Sequence, residues 1–254
     1  MLKDFTGESF DILIQAGQSN AEGYGFGPID EPYQPDGRVW YLNGDFTITP
    51  AAEKVTGNEI QSNFALPFAG EYLRKGYLRE GRNLLILRTA VSGTGFLDNH
   101  WKPEDDLFLR MMEMIRTALT LNPDNRLAAL LWHQGETDAI ENASYDVHYG
   151  HLLTLVRLVR EEFGVPALPF LAGDFVHHWK NDHIDICTPV VDAIRAVCTD
   201  CGHGKFIETD GLLSNLQELQ RNPLGWEDPI HFSRKAIYDL GKRYFAAFEE
   251  LVEK

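Results

Sequence analysis

Ser19 lies in Ala16-Gly17-Gln18-Ser19-Asn20, directly after the apolar run Ile12-Leu13-Ile14. Asp11 to Gln15 reads as a short buried strand, and Gly17 lets the backbone bend sharply behind it. Ser19 is therefore expected at the carboxyl end of a strand, where open α/β sheets place their ligands. A serine there becomes a nucleophile if a base stands near it, and its own amide can help bind an oxyanion. Taken alone, a serine two residues after a glycine equally fits an ordinary strand-to-helix turn. A base and a group to orient it occur together near the far end of the chain, in Asp228-Pro229-Ile230-His231. Proline disfavours helical geometry at Asp228 and keeps the pair in a turn. From a turn the carboxylate can reach Nδ1 of His231 while Nε2 faces Ser19. An imidazole titrating near neutrality suits a general base.

Two further polar loops carry donors. Ser92-Gly93-Thr94-Gly95 follows one apolar run, and His133-Gln134-Gly135-Glu136-Thr137-Asp138 follows another. The amides of Ser19 and Gly93 and the side-chain amide of Gln134 are candidates for an oxyanion hole, where one donor is worth about 3 to 4 kcal/mol in a transition state. Gln18, Asn20 and Glu136 are read as supporting residues. Glu136 is expected to hold the Gln134 loop by accepting backbone hydrogen bonds, with a role as second carboxylate for His231 as the alternative. Asp138 reads as a helix-entry residue and His133 as a loop-orienting one. Trp101, Trp179 and Trp226 are candidate sugar platforms, since an aromatic face packs on pyranose C–H groups; packing is the competing role for each. His177 and His178 have no third ligand at useful spacing, and Cys198-Thr-Asp-Cys201 lacks the second pair that a structural zinc needs. No metal and no cofactor is expected.

These loops need a scaffold that gathers them. Asp11 to Gln15, Leu84 to Arg88, Leu127 to Trp132, Leu168 to Ala172 and Lys205 to Glu208 read as five strands. Helices are expected over Phe64 to Lys75, Leu107 to Leu121, Tyr145 to Phe163 and Thr188 to Val197, with a last one from near Ser233. Strands separated by helices of this length point to parallel βαβ units. The expectation is one domain over residues 1–254, a three-layer α/β/α fold with a parallel five-stranded sheet and all four loops on one rim. A β-hairpin is also expected at Val39 to Leu42 and Phe46 to Ile48, turned by Asn43-Gly44 with positive φ at both positions.

The chain has 254 residues, 44% of them hydrophobic, enough for one good-sized core. Its 38 acids against 23 bases give a net charge of −15, which disfavours nucleic acid and anionic membranes as partners. No apolar run approaches the length of a membrane span. The first residues show no signal peptide, and three sparse cysteines fit a reducing compartment. A cytoplasmic protein is expected, or a secreted one if a leader has been removed. The sequence is silent on oligomeric state.

The four motifs GQSN, SGTG with Trp101 soon after, WHQGETD and DPIHFS run from Gln18 to Ser233. Their set and order resemble the SGNH hydrolases, and within them the sialate O-acetylesterase and acetylxylan esterase branch, carbohydrate esterase family 6. The resemblance implies a flavodoxin-like sheet and hydrolysis of O-acetyl esters on sugars through an acyl-enzyme intermediate. Ser19 would be the nucleophile, His231 the base and Asp228 its partner, with Gly93 and Gln134 completing the oxyanion hole. Two places depart from the branch. Ser92-Gly93-Thr94 stands where GGT is usual, and residues 96 to 101 run differently, so that Asp98, Asn99 and His100 become candidates to line an altered acceptor site. The acidic balance tilts the expected substrate toward neutral sugars such as acetylated xylo-oligosaccharides and away from sialic acid. Two rivals are a non-catalytic carbohydrate-binding relative and a phosphate-cradling role for AGQSNAEGYGFG. The latter lacks the lysine and spacing of a P-loop.

Overall fold

Both faces of the first strand are covered, which is why its apolar residues run consecutively instead of alternating. The computed structural model describes residues 5–56, 58–219, 223 and 225–253. Its strands are β1 Ser9–Gly17, β2 Val39–Leu42, β3 Ile48–Pro50, β4 Lys54–Thr56, β5 Glu59–Gln61, β6 Arg82–Arg88, β7 Arg126–His133, β8 Phe170–Gly173 and β9 Gly204–Ile207. Its helices are α1 Ser19–Glu22, α2 Ala65–Arg74, α3 Asp106–Thr120, α4 Glu136–Ile140, α5 Tyr145–Glu162, α6 His177–Asp182, α7 Ile184–Asp200, α8 Asn215–Glu218 and α9 Arg234–Val252.

The main sheet has the order β3-β2-β6-β1-β7-β8-β9. The five strands expected from the sequence form its parallel core, β6-β1-β7-β8-β9, the flavodoxin-like order. The sheet is nevertheless seven-stranded, not five-stranded. β2 pairs parallel to β6, burying Val39, Tyr41 and Leu42, and β3 adds an antiparallel edge. The hairpin also turns differently from expectation. Asn43 N–H bonds Thr47 O at 2.9 Å and Asp45 Oδ1 accepts from Thr47 N–H at 3.0 Å, so the second strand resumes only at Ile48. The left-handed residue is Phe46, with φ 65°, not the Asn-Gly pair.

Side chains alternate across β1. Ile12 and Ile14 face a core shared with Met111, Ile115, Leu152 and Ile194 of α3, α5 and α7. Leu13 faces the opposite core with Phe68, Ile237, Leu240 and Phe248 of α2 and α9. At the amino end of the sheet, fully buried Asp11 accepts from Arg82 Nε (2.7 Å), Arg126 Nε (2.7 Å) and Tyr72 OH (2.8 Å). Burial alone would raise the Asp11 carboxyl, but these donors outweigh it and hold it below the usual range.

At the other end, β1 and β7 come closest at Gly17. Its φ is 124°, and a Cβ there would lie 2.1 Å from the carbonyl oxygen of His133. Gly17→Ala therefore combines strain with a backbone clash, and is expected to cost at least about 3 kcal/mol in chemical denaturation. Gly70→Ala, in α2 with open space around the added carbon, should be neutral or gain up to about 1 kcal/mol. Equal effects at the two positions would refute this reading of Gly17.

Candidate active site

Ser19 is the first residue of α1 and only 3% exposed. The sharp approach at Gly17 lets Gln18 N–H bond His133 O at 3.0 Å, which brings the start of α1 against the end of β7. The side chain of Gln18 ties the same two segments together, its Oε1 accepting from Thr137 N–H at 3.1 Å and Gly135 N–H at 3.4 Å. As the leading residue of its helix, Ser19 has a backbone N–H with no intrachain acceptor among the described residues.

Asp228 and His231 meet in the turn before α9. Asp228 Oδ1 lies 2.8 Å from Nδ1 of His231 and also accepts its backbone N–H at 3.2 Å. A carboxylate at Nδ1 places the ring proton there and leaves Nε2 with a free lone pair. Oδ2 of Asp228 accepts from Asn215 Nδ2 at 2.8 Å, so both oxygens of this buried carboxylate are engaged. Asn215 itself bonds the carbonyls of His231, through its backbone N–H, and of Tyr24, through Nδ2, each at 2.8 Å.

Asn20 brings this turn to the serine. Its Nδ2 donates to Ile230 O (3.1 Å) and its Oδ1 accepts from Phe232 N–H (3.1 Å), gripping the backbone on both sides of His231. Among the described residues, no hydrogen bond joins Ser19 Oγ to His231 directly. Such contacts commonly tighten only with substrate bound.

The loop after β6 offers few free donors. Ser92 N–H is committed to Glu22 Oε2 at 2.8 Å, and Gly95 N–H to Asp98 Oδ1 at 2.8 Å. The amides of Gly93 and Thr94 have no acceptor among the described residues, and Gly93 is exposed in the left-handed region at φ 70°. Gln134 is fully buried. Its Nε2 donates to Asp138 Oδ2 at 2.7 Å, and its Oε1 has no partner.

Asp138 is no mere helix-entry residue. It is buried and accepts the backbone N–H groups of Phe96 and Leu97, each at 2.9 Å. Burial raises its carboxyl, but His148 and these donors prevail and lower it. Asp138 thus pins the Gly95 loop to the Gln134 loop. Glu136 likewise differs from expectation, since Oε1 accepts the side-chain amide of Asn20 (2.7 Å), while Oε2 has no partner. His133 shares a hydrogen bond with Tyr244 OH at 3.0 Å, and burial drives its pKa down to about 3, so it stays neutral.

The tryptophans separate. Trp101 is fully buried, donates Nε1–H to Thr94 Oγ1 at 3.0 Å and packs edge-on against Trp132. Trp179 is 6% exposed between Phe175 and His183. Both are packing residues and not sugar platforms. Trp226 is 48% exposed and stands edge-on to His231. Asp98, Asn99 and His100 fasten their own loop, to Gly95, Lys102 and Asp106 respectively. His177 pairs with Asp174, and the three cysteines are free thiols. Among the described residues, no three His, Cys, Asp or Glu side chains gather as a metal-binding group, and no helix is long and apolar enough to cross a membrane.

Sequence reasoning missed Tyr24, Asn215 and Glu22. Glu22 stands within one turn of Ser19, which is a usable signal; Asn215 is brought in only by the tertiary fold.

Glu136 yields a test. Burial raises its carboxyl above the usual 4.5, and the Asn20 amide and nearby His231 only partly oppose this. A carboxyl with a raised folded pKa favours folding below its unfolded value, and that contribution is lost as pH rises through the folded value. Glu136→Gln keeps an acceptor for Asn20 and removes the ionisation. Its melting temperature relative to the parent should therefore rise with pH above 4.5. A pH-independent difference would contradict the assignment.

The family model for carbohydrate esterases of the sialic acid-specific acetylesterase type matches residues 9–250. The probable 9-O-acetyl-N-acetylneuraminic acid deacetylase of Escherichia coli (strain K12) is 26% identical over 225 residues, covering 67% of this chain and 68% of that protein. The crystal structure of NanS superposes with a TM-score of 0.82 at 19% identity, covering 100% of this chain and 99% of that one. A structure from Arabidopsis thaliana gives 0.68 at 18% identity, over 94% and 98% of the two chains. At such identities the structural likenesses carry the fold. The family match spans nearly the whole sequence, and the chain belongs to the carbohydrate esterases of the sialic acid-specific acetylesterase family.

Proposed function

We propose that this carbohydrate acetylesterase removes acetyl groups from O-acetylated sialic acid by a two-step serine mechanism. The observation that carries the mechanism is the linkage of Asp228–His231 to the start of α1 through Asn20. His231 Nε2 takes the proton of Ser19 Oγ as the oxygen attacks the acetyl carbonyl. The oxyanion is held by the amides of Ser19 and Gly93. An amide NH2 has two donors; Asp138 takes one from Gln134, and the other serves the oxyanion. His231 then protonates the departing sugar oxygen, and water, activated by the same imidazole, releases acetate from the serine.

A cavity of about 350 Å3 beside α1 supports an acidic sugar. Arg88 and Arg110 line it, and neither has a carboxylate at ion-pair distance among the described residues. Arg110 Nε is buried without a partner, while Arg88 lies over the Tyr41 ring. The two acids in the same cavity are already engaged, Glu22 with Ser92 N–H and Asp45 with Thr47. Two guanidinium groups without a carboxylate partner, one of them also donating to Thr89 O at 3.2 Å, outweigh the bulk balance of −15, because a carboxylate is recognised by local donors. The Escherichia coli relative is described as a probable 9-O-acetyl-N-acetylneuraminic acid deacetylase, which supports the same choice.

The test is acetate release from O-acetylated sialic acid and from acetylated xylo-oligosaccharides. The parent should prefer the acidic sugar, and Ser19→Ala should lower kcat on the order of 10⁵-fold or more. An unchanged rate in that variant sinks the serine mechanism. Sugar binding without turnover would mark a non-catalytic relative. Arg110→Gln and Arg88→Gln should raise KM about tenfold for the acidic sugar, the worth of one charge-assisted hydrogen bond, and leave the neutral one unaffected. An equal effect on both sugars would exclude a carboxylate subsite.

A further inference from the structure

His231 touches an aromatic ring that the reaction scheme does not use. The ring of Tyr24 is stacked on the imidazole, with centroids 5.0 Å apart and planes 24° apart. On another side, Trp226 stands edge-on at 6.0 Å and 66°. We infer that Tyr24 is a positioning residue that fixes the plane of the His231 ring, an inference that rests on His231 being the base of the reaction.

The need for such a residue is geometric. The Cβ–Cγ bond and the hydrogen bond from Nδ1 to Asp228 hold one edge of the ring and leave it a tilt about that edge. A flat surface against one face removes that freedom, so Nε2 keeps one direction. The imidazole must accept a proton and return it twice in each turnover, along nearly the same line. The face of an aromatic ring is also electronegative, so it favours the imidazolium that forms each time.

Tyr24 is itself rigidly framed. Gly23 has φ 117°, and a Cβ there would lie 2.9 Å from Ser62 O. Gly25 bridges to Ser62, and a Cβ on it would meet Ile237 Cγ1 at 2.7 Å. The carbonyl of Tyr24 accepts from Asn215 Nδ2, the amide group that also holds Asp228 Oδ2. One side-chain amide thus sets both the acid behind His231 and the ring beside it. The glycine spacing of GYGFG, which the sequence also offered as a phosphate cradle, is spent on this frame.

Tyr24 also lines a small cavity with Arg88, Lys54 and Asn63, so the competing role is a wall for substrate. Two substrates separate the roles. On 4-nitrophenyl acetate, which is too small to need a sugar subsite, Tyr24→Leu should lower kcat about tenfold with KM within about twofold. The same loss in kcat should appear with the acetylated sugar. Tyr24→Phe, which keeps the ring, should restore most of the rate. The inference is overturned if Tyr24→Leu leaves kcat intact, if the loss is confined to KM of the sugar, or if Tyr24→Phe falls as far as Tyr24→Leu. A proton NMR spectrum supplies a readout independent of turnover. The His231 Hε1 resonance should be shifted upfield by the ring current in the parent and in Tyr24→Phe, and should move downfield in Tyr24→Leu. An unmoved resonance refutes the stacking. If Ser19→Ala hydrolyses both esters as fast as the parent, the serine mechanism fails and the inferred role falls with it, while the resonance shift still reports whether the rings stack.

Discussion

Asn20 spends every polar atom of its side chain on holding three separate segments together. Nδ2 reaches Glu136 of α4 and the carbonyl of Ile230, and Oδ1 takes the N–H of Phe232. α1, α4 and the turn before α9 come from widely separated parts of the chain, and this contact binds the serine helix directly to the histidine turn. A side-chain amide suits the task because it donates and accepts at once. Loss of it would leave a buried carboxylate at Glu136 without its donor, which is why the contact bears on stability as well as geometry.

The site pays for its order with buried polar groups. Asp138, Glu136, Gln134, Asn215 and Asp228 are all fully buried at the carboxyl rim of the sheet. Asp138 and Asp228 are saturated with donors. Glu136 Oε2 and Gln134 Oε1 are not. The unsatisfied pair follows directly on β7, at Gln134 and at the first residue of α4. The saturated pair holds the walls. Asp138 takes two backbone amides of the Gly95 loop, which fixes one wall against the other and leaves Gly95 no room for a side chain, since a Cβ there would lie 2.8 Å from Asp138 Oδ1.

Much of the fold was legible because it depends on local pattern. Ile12, Leu13 and Ile14 in succession mean a strand covered on both faces, and Ile237, Leu240, Tyr244 and Phe248 mean one face of a helix; each lies in the expected core. The appended strands were less legible. Val39 to Leu42 looks the same in sequence whether it forms a free hairpin or joins β6, and pairing with a partner that lies far along the chain decides between them. The tryptophans show the same limit. Trp101 and Trp226 are chemically identical, and only burial separates a packing residue from an exposed ring at the rim.

The sequence by itself determined the parallel α/β architecture, the family and the four loops that carry polar side chains, because strand and helix periodicity and motif order are properties of the linear chain. The tertiary structure alone decided which donors are free, which carboxylates are saturated and which aromatic ring meets His231. Those are contacts between residues such as Tyr24, Asn215 and Asp228, set by the packing of turns on a common rim and encoded in no local pattern.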